Sequence, residues 1–231
     1  MYKYLLWDID GTIIDFLSTE KAAIKALFIK YGFGECSDEK VAEYSKINIG
    51  YWEKLERGEM TKPEILVERF RDFFAKNGID VSLAEQFNDD YQYELGETHE
   101  MYDNADEVLA NLMGEYVLAA VTNGTKLAQT KKLRDTGLDR IFDYVCISED
   151  IGYEKPDRKY FDKVFEIMKI EDKKKVLIIG DSLTSDILGG INAGIDTCWY
   201  NQKGIDNNKG YSPTYEISNL NQICNILNQE C

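Results

Sequence analysis

Residues 5–15, LLWDIDGTIID, carry an apolar run straight into three aspartates and a Gly-Thr turn. Tyr4–Trp7 reads as a short strand apolar on both faces, the kind buried inside a parallel sheet. Asp8 and Asp10 then fall where that strand must leave the core. Positions two apart in extended chain face the same way, which puts both carboxylates on one side and Ile9 toward the interior. Two carboxylates about 4 Å apart repel by roughly 4 kcal/mol at an effective dielectric near 20. A chain that keeps such a pair must offset that repulsion, and the offset points to function.

Working outward, four more apolar runs read as strands: Val117–Val121, Tyr144–Ile147, Val176–Ile179 and Thr197–Tyr200. Helical patterns separate the later ones. Residues 126–136 stop at Gly137, residues 157–168 place Tyr160, Phe161, Val164, Phe165 and Met168 on one face, and residues 186–193 stop at Gly194. Strand and helix alternating in this way predict an α/β fold, a doubly wound parallel sheet. The segment from Phe16 to Gly96 breaks the alternation. It holds helical patterns over 19–31, from 38 to 46 or beyond, and over 64–76, the last opened by Thr61-Lys62-Pro63-Glu64, the spacing of a capping box. We therefore expect an all-helical cap domain at 16–96 inserted into an α/β core formed by 1–15 and 97–231. After Gln202, the turn-rich KGIDNNKG precedes a final short helix near 219–228.

Composition narrows the partners. The 231 residues include 44% hydrophobic and 12% aromatic side chains, enough for a packed core, and carry a formal charge of -15. That balance argues against a nucleic-acid polymer or an anionic membrane as partner, since both need clustered basic residues. The five cysteines, Cys36, Cys146, Cys198, Cys224 and Cys231, show no C-x-x-C spacing. With no leader-like or membrane-length apolar segment, the expectation is a cytoplasmic protein, monomer or homodimer. A single histidine, His99, leaves little scope for imidazole chemistry. The candidates are carboxylates, lysine and hydroxyls.

Each predicted strand ends in a polar signal. Asp8 and Asp10 follow the first, Thr122-Asn123-Gly124 the second, Lys155-Pro156 lies downstream of the third, and Gly180-Asp181 with Asp186 follows the fourth. In parallel strands these sets meet beyond the carboxyl ends, at one edge of the sheet. Crowded carboxylates with no His or Cys suit a hard divalent cation, Mg²⁺ before zinc. Taken singly the signals are weak. Asp-Gly is a common turn, Thr-Asn-Gly an ordinary strand-to-helix corner, and a lysine before proline an ordinary surface residue. Asp186 also suits a helix N-terminus, with Ser185 as its cap. Their order along the chain gives them weight.

That order resembles the haloacid dehalogenase superfamily of phosphohydrolases: D-x-D-G-T at 8–12, a Thr after the second core strand, a Lys before Pro, and G-D-x-x-x-x-D at 180–186, with a helical cap after the first motif. The stretches ISEDIGYEKPDRKYFD and SDILGGINAGIDTCWYN are similar to the pyrimidine 5′-nucleotidase branch. The resemblance implies a Mg²⁺-dependent phosphomonoesterase working through an aspartyl-phosphate, with a nucleoside 5′-monophosphate as substrate. It implies Asp8 as nucleophile and Asp10 as acid and base. Thr122, the Asn123 backbone N–H and Lys155 would bind phosphate. Asp8, the Asp10 carbonyl, Asp181 and Asp186 would hold the metal.

Other readings stay beside it: a phosphatase or phosphomutase for another small phosphate, such as phosphoglycolate or a hexose phosphate, and a catalytically silent nucleotide-binding regulator. A haloacid dehalogenase is disfavoured by the acid at position 10. In the cap, Trp52 or Tyr51 is a candidate to stack on a nucleobase, although aromatic residues at helical spacing usually belong to a core. Tyr91, Tyr93 and Tyr102 read as packing residues, and Asp15 as a hinge residue outside the site.

Overall fold

The computed structural model describes residues 1–97, 99–102 and 104–228, so Cys231 lies outside the described residues. In chain order the elements are β1 (Tyr4–Trp7), α1 (Phe16–Lys30), α2 (Asp38–Glu56), α3 (Lys62–Asn77), α4 (Ala84–Glu97), α5 (Ala105–Leu112), β2 (Val117–Thr122) and α6 (Lys126–Asp135). There follow β3 (Tyr144–Ile147), α7 (Ser148–Ile151), α8 (Arg158–Met168), β4 (Val176–Gly180), α9 (Leu188–Ala193), β5 (Asp196–Tyr200), β6 (Tyr215–Ile217) and α10 (Gln222–Leu227).

All six strands pair in parallel, in the order β3-β2-β1-β4-β5-β6. The chain winds outward from β1 through β2 to β3, then returns to β1's other side and winds away through β4, β5 and β6. The reversal between β1 and β4 opens a crevice at the carboxyl ends of those strands. Alternate residues bury opposite faces of the sheet. Leu5, Trp7, Leu118, Ala120, Leu177 and Ile179 pack with α5 and α10, whereas Leu6, Ala119, Val121 and Ile178 pack with α8. This two-sided burial explains why the strands read as unbroken apolar runs. β6 escaped the sequence reading because three residues at an edge carry too little periodicity to register.

Between β1 and α5 the main elements are helices, α1–α4, joined by a short 3₁₀ turn at Val81–Leu83. They enclose an aromatic core of their own: Phe28, Tyr44, Phe70, Phe73, Phe74, Phe87 and Tyr91. Each such side chain contributes about 1.5–3 kcal/mol when fully buried. Helix ends follow local chemistry. Asp15 Oδ1 accepts from Ser18 N at 3.1 Å and caps α1. Glu64 Oε2 accepts from Thr61 N at 2.8 Å at the start of α3, and Gly78 closes that helix with φ +68°. No helix among the described residues is long and apolar enough to cross a membrane.

Candidate active site

The switch between β1 and β4 brings the sequence signals together. Asp8 continues the β1 ladder by donating its N–H to Ile179 O at 2.9 Å, so its side chain emerges beside the end of β4. The chain then turns sharply. The N–H groups of Ile13 and Ile14 both donate to Ile9 O, and Gly11 takes φ +97°. A Cβ at Gly11 would come within 2.5 Å of Asp181 Oδ2, so both the backbone angle and the space demand glycine. The Thr12 hydroxyl joins the two loops. It accepts from Asp181 N at 3.0 Å and lies 3.3 Å from Asp8 Oδ2 and 3.4 Å from Asp181 Oδ1.

Lys155 is buried between two of these acids. Its Nζ donates to Asp8 Oδ1 at 2.7 Å, to Asp186 Oδ1 at 2.6 Å and to Val121 O at 2.8 Å. Asn123 positions it through a reciprocal pair: Nδ2 donates to Lys155 O and Oδ1 accepts from Lys155 N, both at 2.8 Å. Thr122 Oγ1 accepts from Gly124 N at 3.0 Å and shapes the neighbouring loop. Asp186 differs from expectation in one respect. Ser185 is not the cap; Ser182 is, its Oγ accepting from Ser185 N at 3.1 Å. The turn 183–187 is wound as a wide π-turn, so Asp186 sits inside it and folds back to accept from Ser182 N at 3.1 Å.

Carboxylate oxygens of Asp8, Asp181 and Asp186 lie within 4.8 Å of one another. Burial pushes the Asp8 carboxyl up to about 7, against the pull of Lys155 and with added repulsion from Asp186. Burial, then Asp8 and Asp186, hold Asp181 well above the usual carboxylate range. Burial works against the Lys155 ammonium, but Asp186 and Asp8 together outweigh it and hold the charge in place.

Asp10 is elsewhere. Its Oδ1 accepts from Lys132 Nζ at 2.5 Å and its Oδ2 from Gln129 Nε2 at 2.6 Å, both on α6. Repulsion between Asp8 and Asp10 is therefore a minor influence on Asp8, behind burial, Lys155 and Asp186. Each acid of the pair has its own buried lysine. The sequence reading missed Lys132 because it stands in the charged run TKKLRD, where nothing marks which lysine turns inward.

These residues floor a cavity of about 510 Å³, a size suited to a small ligand. Its cap wall comes mainly from α2, where Asn48, Trp52 and Glu56 follow at intervals of four and share one helix face. Trp52 thus reaches the cavity, whereas Tyr51 turns into a small apolar cluster with Leu55 and Ile65 and donates to Asp72 Oδ2 at 2.7 Å. Glu56 was not anticipated; in the run EKLERG it reads as a solvated charge, and only its spacing from Trp52 hints otherwise. Burial pushes its carboxyl up to about 7, eased by a hydrogen bond from Thr184 and reinforced by Asp186. The loop after β5, read only as turn-rich, supplies Ile205, Asn208 and Lys209 to the rim.

A reversing parallel sheet, an inserted helical cap and an acid cluster at the switch point characterise one class of hydrolase. The chain belongs to the haloacid dehalogenase-like hydrolase family, which residues 5–200 match. It is 41% identical over 231 residues to YfnB of Bacillus subtilis, covering 99% of this chain and 97% of that one. It is 35% identical to the pyrimidine 5′-nucleotidase PynA of Streptococcus pneumoniae, over 99% of this chain and 96% of PynA. It is 29% identical to the pyrimidine 5′-nucleotidase YjjG of Escherichia coli, with 98% of both chains covered. The crystal structure of Bacillus subtilis YfnB, bound to magnesium, superposes with a TM-score of 0.91 at 39% identity, covering 98% of this chain and 99% of that one.

Proposed function

We propose that this protein is a Mg²⁺-dependent phosphomonoesterase that hydrolyses nucleoside 5′-monophosphates, pyrimidine nucleotides among them. The observation that carries the reading is the convergence of Asp8, Asp181 and Asp186 beside Lys155 on the floor of one cavity. Kinship with two pyrimidine 5′-nucleotidases along nearly the whole chain supports the substrate class. The separate aromatic core of α1–α4 supports treating residues 16–96 as a cap unit on a core of 1–15 and 97–231.

The donor set fits magnesium. It is all oxygen, with no imidazole or thiolate, and three carboxylates already converge. Asp8, the Asp10 carbonyl, Asp181 and Asp186 would hold the ion. When bound it would neutralise the crowded carboxylates and draw charge from the phosphoryl oxygens. In our reading Lys155, Thr122 and the Asn123 N–H orient the phosphoryl group. The Asp8 carboxylate oxygen attacks phosphorus, forming an aspartyl-phosphate as the ester P–O bond breaks. Asp10 gives its proton to the departing alkoxide, then takes one from the water that attacks the aspartyl-phosphate. That second attack releases orthophosphate and restores Asp8. Lys132 and Gln129 hold the Asp10 carboxyl group in a defined orientation for this work.

The test is phosphate release by purified protein from uridine 5′-monophosphate, glucose 6-phosphate, phosphoglycolate and p-nitrophenyl phosphate. Release is expected with Mg²⁺, with the nucleotide preferred, and is abolished by a chelator. Absence of release from the whole panel would count decisively against the reading.

A further inference from the structure

The cap wall of the cavity is acidic, and one of its acids has a carboxylate oxygen without a partner. Glu56 Oε2 is buried without a hydrogen bond among the described residues. A buried carboxylate oxygen left unpaired is costly, and such a group in a substrate-sized cavity is placed to take a donor from whatever fills that cavity. The lysines on the cavity wall, Lys155 and Lys209, are both engaged. Lys155 spans Asp8 and Asp186, and Lys209 Nζ lies 2.8 Å from Glu53 Oε1. The non-phosphate part of a substrate therefore meets carboxylates rather than a free ammonium. Beside Glu56 on the same helix face, Trp52 offers a flat apolar surface.

We propose that Glu56 is a specificity residue: it accepts hydrogen bonds from hydroxyl or ring N–H groups of the leaving group, and it repels leaving groups that carry a second anion. Glu56 with Trp52 then fits a nucleoside, a neutral ring system bearing hydroxyls, and rejects phosphoglycolate, whose carboxylate would face Glu56. The inference rests on the phosphatase reading and deepens it. It concerns the cap alone, because the floor that handles phosphate is the same for every substrate.

The experiment compares kcat/KM for uridine 5′-monophosphate with kcat/KM for phosphoglycolate in the wild-type enzyme, Glu56→Gln and Glu56→Asp, all with saturating Mg²⁺. The wild type is expected to favour the nucleotide by at least about 100-fold. Glu56→Gln should shrink that ratio about tenfold or more, chiefly through faster turnover of phosphoglycolate as the repelling charge is lost. Glu56→Asp keeps the charge on a shorter arm, so its ratio should stay nearer to the wild type. Near-ultraviolet circular dichroism checks that the variants fold. A ratio within twofold of the wild type in Glu56→Gln would overturn the inference. So would a variant whose defect appears only as a higher Mg²⁺ requirement, which would make Glu56 part of the metal's surroundings. Failure of every substrate, p-nitrophenyl phosphate included, would overturn both this inference and the phosphatase reading; an unmoved ratio in an active phosphatase overturns this one alone.

Discussion

Two sets of buried polar side chains in this molecule obey opposite rules. Inside the cap, Glu20 accepts from Ser45 and, at 2.7 Å, from Asn48, whose Oδ1 accepts from Arg69 at 2.7 Å. Arg69 reaches Asn88 at 3.1 Å, Asn88 accepts from Gln92 at 3.0 Å, and Gln92 accepts from Thr125 of the core at 2.8 Å. Every member of that chain bonds to the next, and the arginine also lies over the Phe70 and Tyr91 rings. Around the cavity, by contrast, like charges crowd together at the sheet edge, and on the facing cap helix α2 Glu56 Oε2 is left without a partner. A polar network whose members satisfy one another stabilises and orients. One whose charges do not balance is held by the rest of the fold for what it can bind.

The largest effect should come from the edge. Asp8→Asn removes the proposed nucleophile, and turnover of uridine 5′-monophosphate is expected to fall by at least about 10⁴-fold, or roughly 5.5 kcal/mol of barrier. Stability should not fall with it, because Asp8 sits where burial already opposes its charge and Lys155 keeps Asp186 at 2.6 Å. Urea unfolding of the metal-free protein checks this. A variant that loses stability in step with activity would mean that the edge acids act as structure, and the contrast would collapse.

Arg69→Met should do the reverse. It strips the cap chain of its cation and leaves the buried Glu20 carboxylate, already raised by burial, without the charge that helps to offset it. Removing one member of a buried charged set typically costs about 3–5 kcal/mol. Urea unfolding should show that loss, while kcat on p-nitrophenyl phosphate should change by less than about tenfold. A small stability loss with a large rate loss would place Arg69 in the chemistry instead, acting through Asn48 on the cavity wall.

The two regions were also unequally legible in the sequence. The edge was readable because Asp8, Thr122 and Asp181 lie at or just after the end of a strand, and a strand buried on both faces announces itself as an apolar run. Asp8, Thr122 and Asp181 needed only the parallel arrangement to meet. The partners of Asp10 were hidden, because Lys132 and Gln129 contact it across about 120 residues of chain and stand on a helix with little amphipathic signal. The cap interior was hidden more deeply. Arg69 and Glu20 read as surface charges on helices, and α4, AEQFNDDYQYELGE, lacks the capping signals that marked α3. Glu56 is intermediate, since the four-residue spacing from Trp52 was present but had no reason to be followed.

The smallest expected effect is also the sharpest test of the contrast, because it asks whether the acid with the unpaired oxygen costs the fold anything. Burial raises the Glu56 carboxyl from its ordinary 4.5 to about 7. An unfolded chain ionises this group near 4.5 and the folded protein near 7, so between those values the folded state binds more protons. Glu56 thus contributes nothing unfavourable at low pH, a penalty that grows as pH rises from about 4.5 to about 7, and a constant penalty above that. Glu56→Gln removes the titrating group. In metal-free protein it should exceed the wild type in stability by on the order of 2–3 kcal/mol at pH 8, and by less than about 1 kcal/mol at pH 5. Taking the difference between the two proteins at each pH cancels the titrating acids that do not interact with Glu56. A difference that is the same at pH 5 and pH 8 would mean that Glu56 is paid no penalty by burial in solution. The acidic wall of the cavity would then be an ordinary hydrated surface, with no strain for a ligand to relieve.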